Sequence, residues 1–95
     1  MNILCWLMNW YQLNCDGDWE HLYGIKIDTI DNPGWSVDID LIDTPLENKV
    51  FKKIKINSSN DNWIICRVEN NIYKGDGDPS KLEKILTIFK KWVES

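Results

Sequence analysis

The densest run of side chains that could do chemistry is Asp16-Gly17-Asp18-Trp19-Glu20-His21. Carboxylates at alternate positions are typical of calcium loops, and an EF-hand loop beginning at Asp16 would need glycine at its sixth position and an acidic residue at its twelfth. His21 and Ile27 stand at those positions instead. We therefore expect a solvated acidic loop, and we predict no metal site and no cofactor.

Two other groupings raise the possibility of catalysis. Cys15 and His21 could form a nucleophilic pair, but a reactive thiolate needs nearby positive charge, and the carboxylates around Cys15 disfavour it. Asp38 and Asp40 could serve as the carboxylate pair of a glycosidase. They stand two residues apart on a strand face expected to be open to water, where nothing would make the pKa values of the two carboxyls differ. We predict a protein that is not an enzyme, and a small thiol enzyme remains the weaker alternative.

Two features suggest phosphate or nucleic-acid binding. Gly75-Asp76-Gly77-Asp78 precedes a predicted helix, which is where phosphates can bind, but it lacks the lysine and hydroxyl residue of a phosphate loop. A turn followed by a helix cap explains it better. The lysines of the second half could form a basic platform for nucleic acid. The acidic first half argues against that function, which stays as an alternative.

Composition and length describe an ordinary globular protein. The chain has 95 residues, of which 43% are hydrophobic and 27% charged, and this length suits one domain spanning residues 1–95. Cys5, Cys15 and Cys66 are odd in number and contain no Cys-x-x-Cys spacing, which predicts reduced thiols. The apolar start has no basic residue before it and is too short for a membrane span. We expect a cytoplasmic protein that does not enter the membrane.

Charge is distributed unevenly along the chain. Residues 1–48 contain nine acidic residues and one lysine, a net charge of −8, whereas residues 49–95 contain ten basic and six acidic residues, a net charge of +4. An acidic half repels nucleic acid and attracts basic partners. Alternatively, the two halves neutralise each other across the fold.

The periodicity of apolar residues places these groups on secondary structure. Residues 3–14 carry two adjacent apolar stripes at helical spacing, so this helix must be covered on more than one side, by the protein's own sheet or by another molecule. Residues 22–30 and 35–42 alternate as two strands around Asp31-Asn32-Pro33-Gly34, a predicted type II turn with a positive φ at Gly34. The second strand places Trp35 on an apolar face with Val37, and Asp38 and Asp40 on an acidic face.

The second half predicts three more strands and a helix. Residues 49–56 read as a lysine-rich edge strand with Val50, Ile54 and Ile56 inward, and residues 62–69 as a central strand. Asn70-Asn71 suits a tight hairpin turn into a strand from Ile72. Asp78 is a plausible N-cap for the last helix. The predicted fold class is α+β, an antiparallel β-meander of about five strands flanked by an N-terminal and a C-terminal helix.

Several of these segments together resemble a known family. Cys15-Asp-Gly-Asp-Trp-Glu-His-Leu-Tyr-Gly24, Thr29-Ile-Asp-Asn-Pro-Gly-Trp35, Asp38-Ile-Asp-Leu41, Trp63-Ile-Ile-Cys-Arg-Val-Glu69 and the terminal Trp92-Val93 are similar to the immunity protein 53 family of bacterial polymorphic toxin systems. The similarity covers nearly the whole chain. It implies a small cytoplasmic inhibitor that binds a cognate protein toxin encoded nearby, and it carries no catalytic residue across.

The residues predicted to bind the toxin follow from the acidic pattern. A basic active-site cleft, as in a nuclease toxin, would associate rapidly with an acidic surface, and tryptophan often anchors such interfaces. Trp10 and Trp35 lie on apolar stripes and are expected in the core. The sequence leaves open whether the first helix is core or interface, and the oligomeric state. The predicted binding residues are Asp16, Asp18, Trp19, Glu20, His21, Asp38 and Asp40.

Overall fold

The computed structural model of the chain describes residues 2–95. In this range the chain forms three helices and five strands. They are α1 (Ile3–Asn14), α2 (Trp19–Leu22), β1 (Ile25–Ile30), β2 (Gly34–Asp40), β3 (Ile54–Ser59), β4 (Asn62–Glu69), β5 (Ile72–Gly77) and α3 (Leu82–Val93).

The five strands form one antiparallel sheet in the order β1-β2-β5-β4-β3. The predicted α+β class, with five antiparallel strands and a helix at each end, is confirmed. The strand order differs from a simple meander, because β2 pairs with β5 and not with β3. The N–H of Leu41 continues that pairing by donating to the carbonyl of Asn71, and the chain then crosses to the far edge before β3 begins.

Helices α1 and α3 lie on one face of the sheet, and the core forms between them and that face. Val37, Ile39 and Tyr73 are completely buried there. The hydroxyl of Tyr73 donates a 2.7 Å hydrogen bond to the carbonyl of Ile85 in α3. The predicted core position of Trp10 is confirmed, since its ring contacts the buried Phe89 edge-on at 5.1 Å. Trp35 is only half-buried and donates from its indole nitrogen to the carbonyl of Pro79.

Only the last three residues of the segment predicted as the third strand, residues 49–56, lie in the sheet. Residues 49–53 are irregular, β3 begins at Ile54, and Val50 is exposed instead of pointing inward. The physical reason lies at the end of α3. Lys49 donates from its ammonium group to the carbonyl of Trp92 at 2.9 Å, and Phe51 stacks edge-on against Trp92 at 5.3 Å. These contacts hold the segment against the helix instead of the sheet.

The two predicted hairpin turns have different outcomes. Asn70 and Asn71 adopt the expected left-handed conformation, with φ of 53° and 57°. Gly34 does not have the predicted positive φ. Glycine is required there for another reason, because a Cβ on Gly34 would collide with the carbonyl of Gly77 on the neighbouring strand.

The sequence predicted that Gly75–Asp78 is a turn followed by a helix cap, and the structure shows a different arrangement. Gly75 and Gly77 belong to β5, and a Cβ on Gly75 would collide with Ile85 of α3. Asp78 is buried and is not the N-cap, because α3 begins at Leu82, three residues later than a helix capped by Asp78 would begin, and its N-cap is Lys81. The Asp78 carboxylate instead accepts bonds from the backbone N–H of Trp63 and the ammonium of Lys81.

Candidate functional site

The acidic loop between α1 and α2 is held by two of its own carboxylates. Gly17 allows the reversal with a φ of 95°. Asp16 accepts from the N–H groups of Asp18 and Trp19, and Glu20 accepts from the N–H groups of Asp16 and Gly17 at 2.9–3.2 Å. Backbone hydrogen bonds lower the pKa of both carboxyls, which therefore remain ionised. Asp16 and Glu20 thus stabilise the conformation of the loop and also give it negative charge.

Trp19 does not lie at the surface, where the prediction placed it. Its side chain is 2% exposed, and its indole nitrogen donates a 2.9 Å hydrogen bond to the carbonyl of Ile42. Its ring contacts Trp10 and Tyr11 edge-on. Because this ring is enclosed by α1 and the segment after β2, it cannot anchor a partner in this conformation. Its role is to hold α2, a short helix formed by residues for which the sequence predicts a loop and the start of a strand.

Asp38 and Asp40 share the uncovered face of the sheet, but their surroundings differ. The register places Asp38 between Lys26 of β1 and Lys74 of β5. On the neighbouring strand β4, Arg67 forms ion pairs with Asp76 at 3.1 Å and with Glu69 at 2.6 Å. This face therefore mixes both charges, and the prediction of an acidic face is wrong.

Asp40 lies at the edge of the mixed face, beside the chain that enters β1. Its carboxylate accepts a 3.0 Å hydrogen bond from the N–H of Gly24. It also lines a groove of about 590 Å³, here named the α1–α2–β1 groove. The walls of this groove include Leu7, Met8, Tyr11, His21, Leu22 and Asp40, with residues 23–26 between them.

Apolar side chains of α1 and α2 are exposed at this groove and beside it. Helix α1 buries Leu7 and Trp10, but its other apolar stripe faces outward, with Leu4 53% and Met8 63% exposed. Leu22 at the end of α2 is 73% exposed and lines the same groove as Met8. Within the protein, α1 is therefore covered on one side only, and a second cover would have to come from another molecule. The helix serves both the core and the surface.

The predicted acidic residues are distributed around this groove unequally. Asp40 and His21 line it, and the acidic loop that holds Asp16, Asp18 and Glu20 leads directly into α2. Glu20 lies near Tyr11, whose pKa is raised chiefly by the Cys15 side chain and further by the negative charge of Glu20. Asp38 lies outside the groove lining. Within residues 2–95, the side chains of Asp18 and His21 form no hydrogen bond, so both are free to meet a partner.

The exposed residues Leu4, Met8 and Leu22 were not singled out by the sequence analysis. Their signal was the excess of apolar residues in α1, which one covering layer could not bury. Leu22 carried no signal, because the alternation assigned it to the start of a strand. The arrangement of an apolar centre beside ionised carboxylates matches the general composition of protein interfaces.

The structure also bears on the chemical alternatives. The Cys15 thiol donates to the backbone carbonyl of Tyr11 at 3.3 Å, and Cys15 does not line the groove with His21. Among residues 2–95, no three His, Cys, Asp or Glu side chains are grouped to hold a metal ion. None of the helices in this range is both long and apolar enough to cross a membrane.

Comparison with known proteins gives the relationship directly. Residues 4–94 match the family model described as immunity protein 53. No curated protein and no solved structure matches the chain significantly. The match covers both helices of the core, all five strands and the acidic loop. The chain therefore belongs to the immunity protein 53 family.

Proposed function

We propose that this protein neutralises a cognate bacterial toxin by binding it directly, through the α1–α2–β1 groove and the acidic loop beside it. The observation that carries this proposal is the exposed apolar stripe of Met8 and Leu22 beside ionised carboxylates. Exposed apolar side chains gathered in one groove mark an interaction surface more often than isolated ones do. Membership of an immunity protein family supplies the class of partner.

The charge of this region points to a basic partner. The acidic half of the chain builds α1, α2, β1 and β2, and the strand order keeps β1 and β2 together at one side of the sheet. Such a surface accelerates association with a basic protein by electrostatic steering. A nuclease toxin with a basic active-site cleft fits this requirement, and we expect it to be encoded beside this chain and to be inhibited in the cytoplasm of the producing cell.

A nucleic-acid-binding function is less well supported. The side chain of Lys55 lies on the uncovered face of the sheet, whereas α3 and its lysines lie on the other face. Lys49 and Lys81 are occupied by the end of α3 and by Asp78. A platform for nucleic acid needs a continuous basic field, which this separation interrupts.

The first experiment is co-expression of this protein with the product of the neighbouring gene in a host that lacks both. We expect the neighbouring product to stop growth, this protein to restore it, and the two to elute together in size-exclusion chromatography. A harmless neighbour, or a toxic neighbour that this protein neither binds nor inhibits, would show that the proposal is wrong.

Matched variants then locate the surface. Leu22→Asp and Asp18→Lys change exposed side chains at the groove and its loop, and each should weaken toxin binding roughly tenfold or more. Val50→Asp and Asp61→Lys make the same changes at exposed sites outside the groove and should leave affinity unchanged. If the two groove variants and the two control variants change toxin affinity equally, the interface lies elsewhere. Circular dichroism checks that all four variants fold.

A further inference from the structure

The two edges of the sheet differ in how they are protected from pairing with another strand. The β3 edge carries Lys55 and an irregularity between Asn57 and Ser59, and lysine-rich residues 49–53 precede it. Charges and bulges of this kind prevent strands from adding to an edge. The β1 edge pairs regularly with β2 over all six residues from Ile25 to Ile30, and its four central residues are exposed.

The hydrogen bonds of β1 identify which backbone groups face outward. The carbonyl of Gly24 accepts from the N–H of Asp40, so this pair is a hydrogen-bonded pair of the ladder. In an antiparallel ladder such pairs alternate with non-hydrogen-bonded ones, which makes Lys26 and Asp28 point their backbone groups toward β2. The N–H and C=O groups of Ile25 and Ile27 therefore point to the free edge, where an added strand would meet them. The carbonyl of Thr29 points the same way, but its N–H donates a 2.8 Å hydrogen bond to the carboxylate of Asp28.

The side chains of the same residues face the groove side of the sheet. Ile25 lines the α1–α2–β1 groove, and Ile27, opposite the buried Val37, is 41% exposed because no helix covers it. A strand added to β1 would direct every second side chain to this face. Those side chains would continue the apolar surface formed by Met8 and Leu22.

Charge decides between two occupants of this edge. A second copy of the chain would pair through a two-fold axis and bring the same acidic region against itself, which like charges oppose. On β1 itself the charges of Lys26 and Asp28 balance, and the negative charge lies at the groove, which Asp40 lines, and in the acidic loop that leads into α2. A basic segment would meet this negative charge. The edge therefore fits a foreign strand that carries positive charge.

We infer that β1 is a docking strand, to which an extended segment of the toxin adds as a sixth strand. That segment places apolar side chains at alternate positions over the α1–α2–β1 groove and carries Lys or Arg at or beside the remaining positions. Main-chain hydrogen bonds supply affinity in this mode of recognition, and the alternate side chains supply specificity. The inference rests on the proposed function, because the segment belongs to the toxin that this protein inhibits.

Amide hydrogen exchange, followed by NMR on the protein alone and in complex with the toxic neighbouring protein, tests this directly. The amides of Ile25 and Ile27 should exchange rapidly in the free protein and become protected in the complex. The N–H of Asp78 donates to the carbonyl of Trp63, so by the same alternation Ile65 faces β5 and the amide of its β3 partner Lys55 points outward. This amide should stay unprotected, and it is the control for general burial. A complex that restores growth but leaves the amides of Ile25 and Ile27 unprotected would overturn the docking strand and leave the proposed function intact.

Proline variants provide a second test. Ile27→Pro removes the central outward donor of β1 without removing a hydrogen bond to β2, and it should lower toxin affinity roughly tenfold. Ile27→Val retains that N–H and should bind normally, as should Lys55→Pro at the other edge. Normal binding by a folded Ile27→Pro variant would contradict the inference. Protection of the β1 amides in the free protein that grows with its concentration would show that a second copy occupies the edge instead.

Discussion

The N–H of Gly24 donates a 3.0 Å hydrogen bond to the carboxylate of Asp40, and the N–H of Asp40 donates a 3.1 Å hydrogen bond to the carbonyl of Gly24. The side chain of Asp40 thus replaces a backbone acceptor at the point where the chain leaves α2 and enters β1. The same carboxylate lines the α1–α2–β1 groove. Asp40, a predicted binding residue, therefore both stabilises the entry to β1 and places a negative charge at the groove. Different substitutions can separate these two effects.

Asp40→Asn keeps an oxygen acceptor for Gly24 and removes the charge, so it should weaken toxin binding while stability hardly changes. Asp40→Ala removes the acceptor as well and should lower the free energy of unfolding by about 0.5–1.5 kcal/mol. Urea unfolding and binding calorimetry on both variants distinguish these effects. If Asp40→Asn and Asp40→Ala lower the free energy of unfolding equally, the hydrogen bond to Gly24 contributes little.

Trp19→Phe should destabilise the protein by roughly 1–3 kcal/mol, because it removes the hydrogen bond to the carbonyl of Ile42 and leaves a space among Trp10 and Tyr11. Toxin affinity of the folded variant should be unchanged. His21→Ala, two residues away and exposed, is the control and should change stability little. A Trp19→Phe variant of normal stability and weakened binding would return Trp19 to the interface.

Gly75→Ala should lower the free energy of unfolding by roughly 1–3 kcal/mol, because its Cβ would collide with a methyl group of Ile85 and force α3 away from β5. Gly24→Ala is the matched control, since a Cβ there has no atom within 4 Å. Chemical denaturation of both variants measures the difference. A double-mutant cycle with Ile85→Ala should show coupling between the two sites, and strict additivity would argue against the collision.

Asp78 should make stability depend on pH in acid. The Lys81 ammonium, the Ser80 hydroxyl and the backbone N–H groups of Trp63 and Ser80 hold the pKa of this carboxyl well below its usual value of 3.8. Because the pKa of Asp78 is lower in the folded state than in the unfolded state, the carboxylate contributes its full stabilisation at pH values above the unfolded-state pKa. This stabilisation is lost as pH falls below about 4, through the folded-state pKa.

The measurement is the free energy of unfolding, from urea titrations between about pH 6 and pH 2. Asp78→Asn removes this titration, so its stability should fall less steeply over the acid range than that of the natural protein. Circular dichroism at neutral pH verifies that the variant folds. Parallel slopes for the two proteins would mean that Asp78 is not held in its charged form by these partners.

Local sequence patterns determined much of the secondary structure. The apolar spacing of residues 3–14 and the alternation in β2 predicted α1 and the face of Val37 correctly, because helix and strand periods depend only on neighbouring residues. The two asparagines at positions 70 and 71 predicted their left-handed turn for the same reason. The acidic character of the loop at Asp16 was equally visible, since charge is a property of composition.

Tertiary structure decided which of these patterns lie at the surface. Alternation shows that Val37 and Ile39 share a face, but not that β2 pairs with β5, because strand pairing joins residues distant in sequence. The place of Trp19 in the core depended on Ile42 and α1 closing around it. The apolar stripe of Met8 became a surface because the two core helices left it uncovered. The sequence by itself therefore determined α1, most of the strands and the family resemblance, whereas only the packing of distant segments decided which of these residues are exposed.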